Sequence, residues 1–185
     1  MPGRYCRQAV LAYVFWHRPR EGDGREAYER RLSAFHAALA ADPPAGFIAS
    51  AALRVAEAPW LAGAGAAYED WYGVEGWEVL GRLNEAAVRG RRAAPHDAVA
   101  ARAAAGAGGV YGLVSGPAEL PATRTSWLAK PDGLDREGFH AQLDGPGRSV
   151  WMRQMVLGPA PEYAVRSGAP IVLPWEARAI TAAAV

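Results

Sequence analysis

The chain has 185 residues, 51% apolar and 21% charged, an ordinary globular composition that argues against wholesale disorder. Twenty basic side chains against nineteen acidic ones leave a net charge of +1, too little to grip nucleic acid, and the one basic cluster, Arg89, Arg91 and Arg92, reads as cations at a helix C-terminus. A single cysteine, Cys6, excludes an intrachain disulfide framework and multi-cysteine metal sites and fits a reducing cytoplasm, and no run reaches the ~20 apolar residues a membrane span needs.

The first predicted element is a strand over 8–17. Val10, Ala12, Val14 and Trp16 alternate with Leu11, Tyr13, Phe15 and His17, so both faces are apolar and the strand belongs at the centre of a sheet. A helix follows over 24–41, where Tyr28, Leu32, Phe35 and Leu39 form one stripe that must lie on a sheet; Asp42-Pro43-Pro44 stops it. Strands are expected over 47–55 and 68–74, then a helix over 75–88, a short helix over 97–105 ended by Gly106, and a strand over 110–115. This order is the ferredoxin-like split βαβ pattern.

Residues 116–121 (Gly-Pro-Ala-Glu-Leu-Pro) read as a linker. Beyond it come a strand over 123–130, a helix over 135–144, and strands over 149–157 and 162–167. The tail, 171–185, is expected as an edge strand or as a segment swapped onto a partner. The second stretch repeats the first in short form: Phe15-Trp16-His17-Arg18-Pro19 with Arg25, Tyr28 and Leu32 recurs as Trp127-Leu128-Ala129-Lys130-Pro131 with Arg136, Phe139 and Leu143. The expected fold class is therefore α+β: two fused ferredoxin-like units of βαββαβ type, 1–116 and 122–185, the second truncated, with antiparallel sheets packed face to face as an α/β barrel around a cavity.

The first helix, with Glu26-x-Tyr28 followed by Phe35-His36, resembles the EthD-like branch of the dimeric α/β-barrel superfamily, best over 8–115 and less over 122–167. The resemblance implies an enclosed cavity between paired sheets, used in that superfamily by cofactor-free oxygenases, polyketide cyclases, lactone isomerases, heme proteins and plain ligand binders. Aligning Leu143 with Leu32 puts Gly147 where His36 stands, which confines a histidine-dependent site to the first unit.

His36, on the flank of the apolar stripe, is the candidate catalytic residue, because imidazole exchanges protons near neutral pH; a core histidine bonded to backbone is the alternative. Tyr13, Phe15 and His17 share one face of the first strand and are candidate ligand contacts. Asn84 is expected on the buried face of the second helix, where its amide needs a partner. Trp127 and Trp151 either line a cavity or fill a core. Arg153 and Gln154 are neighbours in a strand, so one of them faces inward; a buried Arg153 would need a ligand carboxylate or enolate, or Glu69 or Asp70. His96 beside Asp97 reads as helix capping and His140 as solvated. Gly106-Ala107-Gly108-Gly109 lacks the third glycine of a dinucleotide fingerprint, and no motif of metal spacing appears.

These readings point to a metal-free, cofactor-free binder of an apolar or aromatic small molecule, homodimeric, with proton transfer, isomerisation or oxygenation as its chemistry if it is an enzyme. Two alternatives stay open: a heme protein with a histidine axial ligand, and a non-catalytic module that dimerises through its sheet.

Overall fold

A computed structural model describes residues 10–22, 24–118, 122–155 and 158–185. Cys6, the first two residues of the expected first strand, 119–121 of the expected linker and 156–157 of the expected strand from 149 lie outside the described residues. The elements are β1 Val10–Pro19, α1 Arg25–Ala41, β2 Phe47–Val55, β3 Ala67–Glu75, α2 Trp77–Ala87, a 3-10 turn Gly90–Arg92, α3 Ala93–Ala100, β4 Ala103–Ser115, β5 Arg124–Leu128, α4 Arg136–Leu143, β6 Arg148–Arg153, β7 Tyr163–Ser167 and β8 Arg178–Ala184. Among the described residues no helix is long and apolar enough to cross a membrane.

The strands pair antiparallel and close into one barrel in the order β1-β3-β2-β8-β5-β7-β6-β4. Starting at β4, the first four strands stand as β4-β1-β3-β2; the last four stand in the same relative order, β8-β5-β7-β6. The seams are β2 with β8 and β4 with β6, so a single chain completes the barrel. The tail is therefore not an edge, as its sequence suggested. Leu53 pairs with Ala184 on one side of β8 and Trp127 with Arg178 on the other, because without β8 both β2 and β5 would expose an unpaired ladder.

Alternation along each strand sends one set of side chains into the barrel and the other outward. Trp16, Trp71, Trp127, Trp151 and Tyr111 all point in and are fully buried. Their rings meet edge to face or tilted, with centroids 5.3 Å apart for Trp16–Trp127, 5.5 Å for Trp71–Trp151 and 5.4 Å for Tyr111–Trp127. An eight-stranded barrel is just wide enough for side chains to fill, and these five rings fill it. The cavity expected between the sheets is thus replaced by an aromatic core.

Outward, the two halves are covered unequally. Helices α1 to α3 lie over β1 and β3, where the α1 stripe of Tyr28, Leu32, Phe35 and Leu39 is buried as its period required, together with His36. In the other half α4 alone seats Phe139 and Leu143 on Leu128, Val150, Tyr163 and Val165.

One helix boundary differs from the sequence expectation. The helix read over 97–105 ends at Ala100, and Ala103 to Gly112 pair along β1 instead. Small side chains are required there rather than merely tolerated. A Cβ on Gly106 would stand 2.6 Å from Phe15 Cζ, and one on Gly108 would stand 2.5 Å from Tyr13 Oη. Gly108→Ala is expected to cost about 1–3 kcal/mol in urea unfolding through overpacking against Tyr13, whereas Gly81→Ala, in open space on α2, should be neutral or stabilising.

Candidate functional site

A cavity of about 730 Å³ lies outside the barrel, between the outer face of β1 and β3 and the three helices above it. Its volume is that of a small-molecule site. Tyr13, Phe15 and His17 of β1 with Asp70 and Tyr72 of β3 make the floor; Leu32 and Phe35 of α1, Leu80 and Asn84 of α2, and His96 and Val99 of α3 make the walls. On α2 only Val79 and Leu83 are buried; Leu80 and Ala87 pack partly, and Trp77, 49% exposed, stands at the cavity's edge.

The floor is a band of rings set by strand register. Tyr13 sits opposite Tyr72, Phe15 opposite Asp70 and His17 opposite Tyr68. Centroid separations of 6.1 Å for Tyr13–Phe15, 5.2 Å for Phe15–His17 and 5.6 Å for His17–Tyr68 make the band continuous.

Asp70 is the one acid among the lining residues and is 2% exposed. As a carboxylate it only accepts, so His17 Nε2–H donates to Oδ2 at 3.1 Å and Tyr72 Oη–H donates at 3.0 Å. In the neutral His17 ring this leaves Nδ1 to accept from Tyr28 Oη at 2.7 Å. His36 closes the other side: its Nε2 lies 3.4 Å from Tyr72 Oη and 3.5 Å from Asp70 Oδ2, and its Nδ1 lies 2.7 Å from Ser50 Oγ. Burial alone would push the Asp70 carboxyl up, but His17 and His36 outweigh it and hold it well below the usual carboxylate range. Burial and then the Asp70 charge push the Tyr72 phenol well above its ordinary value, so it remains a donor. Oδ1 of Asp70 is buried and has no hydrogen-bond partner.

Of the residues read from sequence, Tyr13, Phe15, His17 and Asn84 line this cavity. Asn84 is exposed rather than buried, because it faces the open side between α2 and solvent. His17 is buried rather than at a wet rim. His36 meets Asp70 and Tyr72 but is not among the lining residues. Trp127 and Trp151 belong to the barrel core. Arg153 donates to the carbonyls of Gly158 at 3.0 Å and Ala160 at 2.6 Å, holding the loop after β6, and pairs with neither Glu69 nor Asp70. His96 contacts Asp97 at 3.0 Å from within α3 rather than as a cap, and His140 meets Tyr163 Oη at 3.1 Å rather than solvent alone.

Sequence reading missed Asp70 and Tyr72 as site residues. The signal was available in Glu69-Asp70: consecutive carboxylates in a strand face opposite sides, so one enters the barrel and the other meets the helices. The β5–β7 ladder holds apolar residues where the β1–β3 ladder holds His17 and Asp70. Leu128 pairs with Tyr163 as His17 pairs with Tyr68, and Val165 follows where Asp70 would stand.

No protein-family model, no curated protein and no solved structure matches this chain. Fold and site together define a class: an antiparallel α+β barrel with a filled interior and a helix-roofed aromatic cavity over one buried carboxylate. Among the described residues no group of three His, Cys, Asp or Glu side chains is placed to hold a metal ion.

Proposed function

We propose that the cavity binds a small, largely aromatic molecule through a hydroxyl or N–H that donates to Asp70 Oδ1, and that the adjoining imidazoles move a proton to or from it. The observation that carries this reading is that Asp70, a lining residue of an apolar cavity, has a buried carboxylate oxygen with no donor. An acceptor left unsatisfied costs about 1–3 kcal/mol, more for a charged group, and a ligand that donates recovers it. An anionic ligand would face the Asp70 charge and is disfavoured.

His17, which lines the cavity and is oriented by Asp70, is the proton-transfer group in this reading: Tyr28 Oη, also in the cavity lining, takes a proton from the ligand as it passes its own to His17 Nδ1, and the reverse returns it. His36 acts through Tyr72 and Asp70 and is a positioning residue. Both nitrogens of each ring already have protein partners, which disfavours axial ligation of heme.

The chain further reads as a fused duplication of a ferredoxin-like unit. The matching strand quartets support this, as do Trp16 with Trp127, Tyr28 with Phe139 and Leu32 with Leu143, which recur at one constant spacing. The likeness to EthD-like α/β-barrel proteins rests on Glu26-x-Tyr28 and Phe35-His36 of α1 and on the element order. A barrel closed within one chain needs no second copy, so the expected homodimer would be an association of completed barrels.

The test compares 2-naphthol, 2-methoxynaphthalene and 2-naphthoate by fluorescence titration. Naphthol should bind at least about tenfold more tightly than the methyl ether, which cannot donate, and naphthoate should bind weakest. In Asp70→Asn, His17 and Tyr72 would hold the amide oxygen and turn its NH2 toward the ligand, erasing the preference. Equal binding of naphthol and its ether by the wild type would sink the proposal.

A further inference from the structure

The barrel interior carries a guanidinium to which its walls offer no hydrogen-bond acceptor. Arg166 of β7 points inward between its cross-strand neighbours Thr125 of β5 and Ser149 of β6. It is 1% exposed, and Nε, Nη1 and Nη2 all lack a hydrogen-bond partner. Its guanidinium lies over Trp71, with Cζ 3.9 Å from the ring centroid. Burial lowers the guanidinium pKa to about 10, which still leaves it protonated at neutral pH.

The acid nearest in effect does not neutralise it by contact. Glu69 accepts from the indoles of Trp71 at 2.6 Å and Trp16 at 2.8 Å, and burial pushes its carboxyl up despite those bonds. Trp127, two residues along β5 from Thr125 and on the same inner face, offers another buried N–H without an acceptor. Ser149 Oγ accepts from Trp151 Nε1 at 2.9 Å, which leaves its own proton free to donate. The interior around Arg166 is therefore rich in donors and short of acceptors. Glu69 offsets part of the charge from across the interior without touching the guanidinium, so the three buried N–H-bearing nitrogens still lack an acceptor, and each donor left unpaired costs about 1–3 kcal/mol.

We propose that the barrel interior beside Arg166 is a binding site for one small monovalent anion, of the size of chloride or nitrate, held by the guanidinium with Thr125, Ser149 and Trp127 around it. The packed aromatic interior sets a low upper limit on the ion's size. The ion is a folding ligand: it binds the closed barrel and not the unfolded chain, so stability rises with its concentration.

Thermal unfolding of the full chain at constant ionic strength, with sodium gluconate exchanged for sodium chloride, tests this. The wild-type Tm should climb by about 3 °C or more per tenfold increase in chloride above the dissociation constant. Arg166→Met, which keeps the length without the charge, should show no chloride dependence at any Tm. Should that variant fail to fold, wild-type crystals grown in bromide decide the matter, with an anomalous peak expected against the guanidinium. A wild-type Tm equal in chloride and gluconate, or density showing only water on the Arg166 nitrogens, overturns the proposal.

Discussion

Trp71→Ala is expected to lower the unfolding free energy by about 3–5 kcal/mol, the range for removing a large aromatic from a packed core. The indole is fully buried at the middle of the barrel, with ring centroids of Trp151 and Trp127 at 5.5 and 6.3 Å. Three losses coincide there. The ring volume becomes a void that a closed barrel cannot collapse into, Glu69 Oε1 loses the donor 2.6 Å away, and Arg166 loses the ring face it rests on. Urea unfolding checks this against Trp77→Ala on α2, which is half exposed and is expected to cost clearly less than the Trp71 substitution. A Trp71 cost below about 1 kcal/mol would mean that the barrel interior is not packed as described.

The same core shows where the sequence was legible. The alternation in β1 announced a strand apolar on both faces, and the α1 stripe announced a helix lying on a sheet, because both periods are local and their large side chains mark them. Which face became core and which became cavity was not legible. That depends on barrel closure bringing Trp127 and Trp151 against Trp16 and Trp71, a contact between residues far apart in the chain. β8 carried little signal, since its alanines fit either a helix or a strand and only the free ladders of β2 and β5 select the strand. The start of β4 was read as helix for a related reason: helix propensity in an alanine-rich run yields to the need to seat Phe15 and Tyr13 over Gly106 and Gly108. Strand parity, sound for Arg153 beside Gln154 in principle, has its buried arginine elsewhere, at Arg166.

Asp70→Asn is expected to cost about 1–3 kcal/mol at neutral pH, since His17 Nε2–H and Tyr72 Oη–H would exchange a charged acceptor for a neutral amide oxygen. The cost should depend on pH with a fixed sign. Burial acting alone would raise the Asp70 pKa, yet His17 and His36 depress it overall. A carboxyl depressed by folding adds stability that is fully present above its unfolded pKa of about 3.9 and is lost as the pH falls toward its folded value. Glu69 runs the opposite way: its pKa is raised by burial, so what it contributes is present below the unfolded glutamate range and fades as the pH rises through its folded value. Glu69 is common to wild type and variant and feels Asp70 only as its last-ranked cause, so the difference between them reports chiefly Asp70 with the two histidines bonded to it. Urea unfolding at pH 7, 5, 4 and 3 should show a gap that is widest at neutral pH and shrinks below about pH 4. A gap that grows in acid would mean Asp70 is protonated in the folded protein. Then Oδ1 would not be the anionic acceptor that the proposed ligand requires, a conclusion reached without any ligand present.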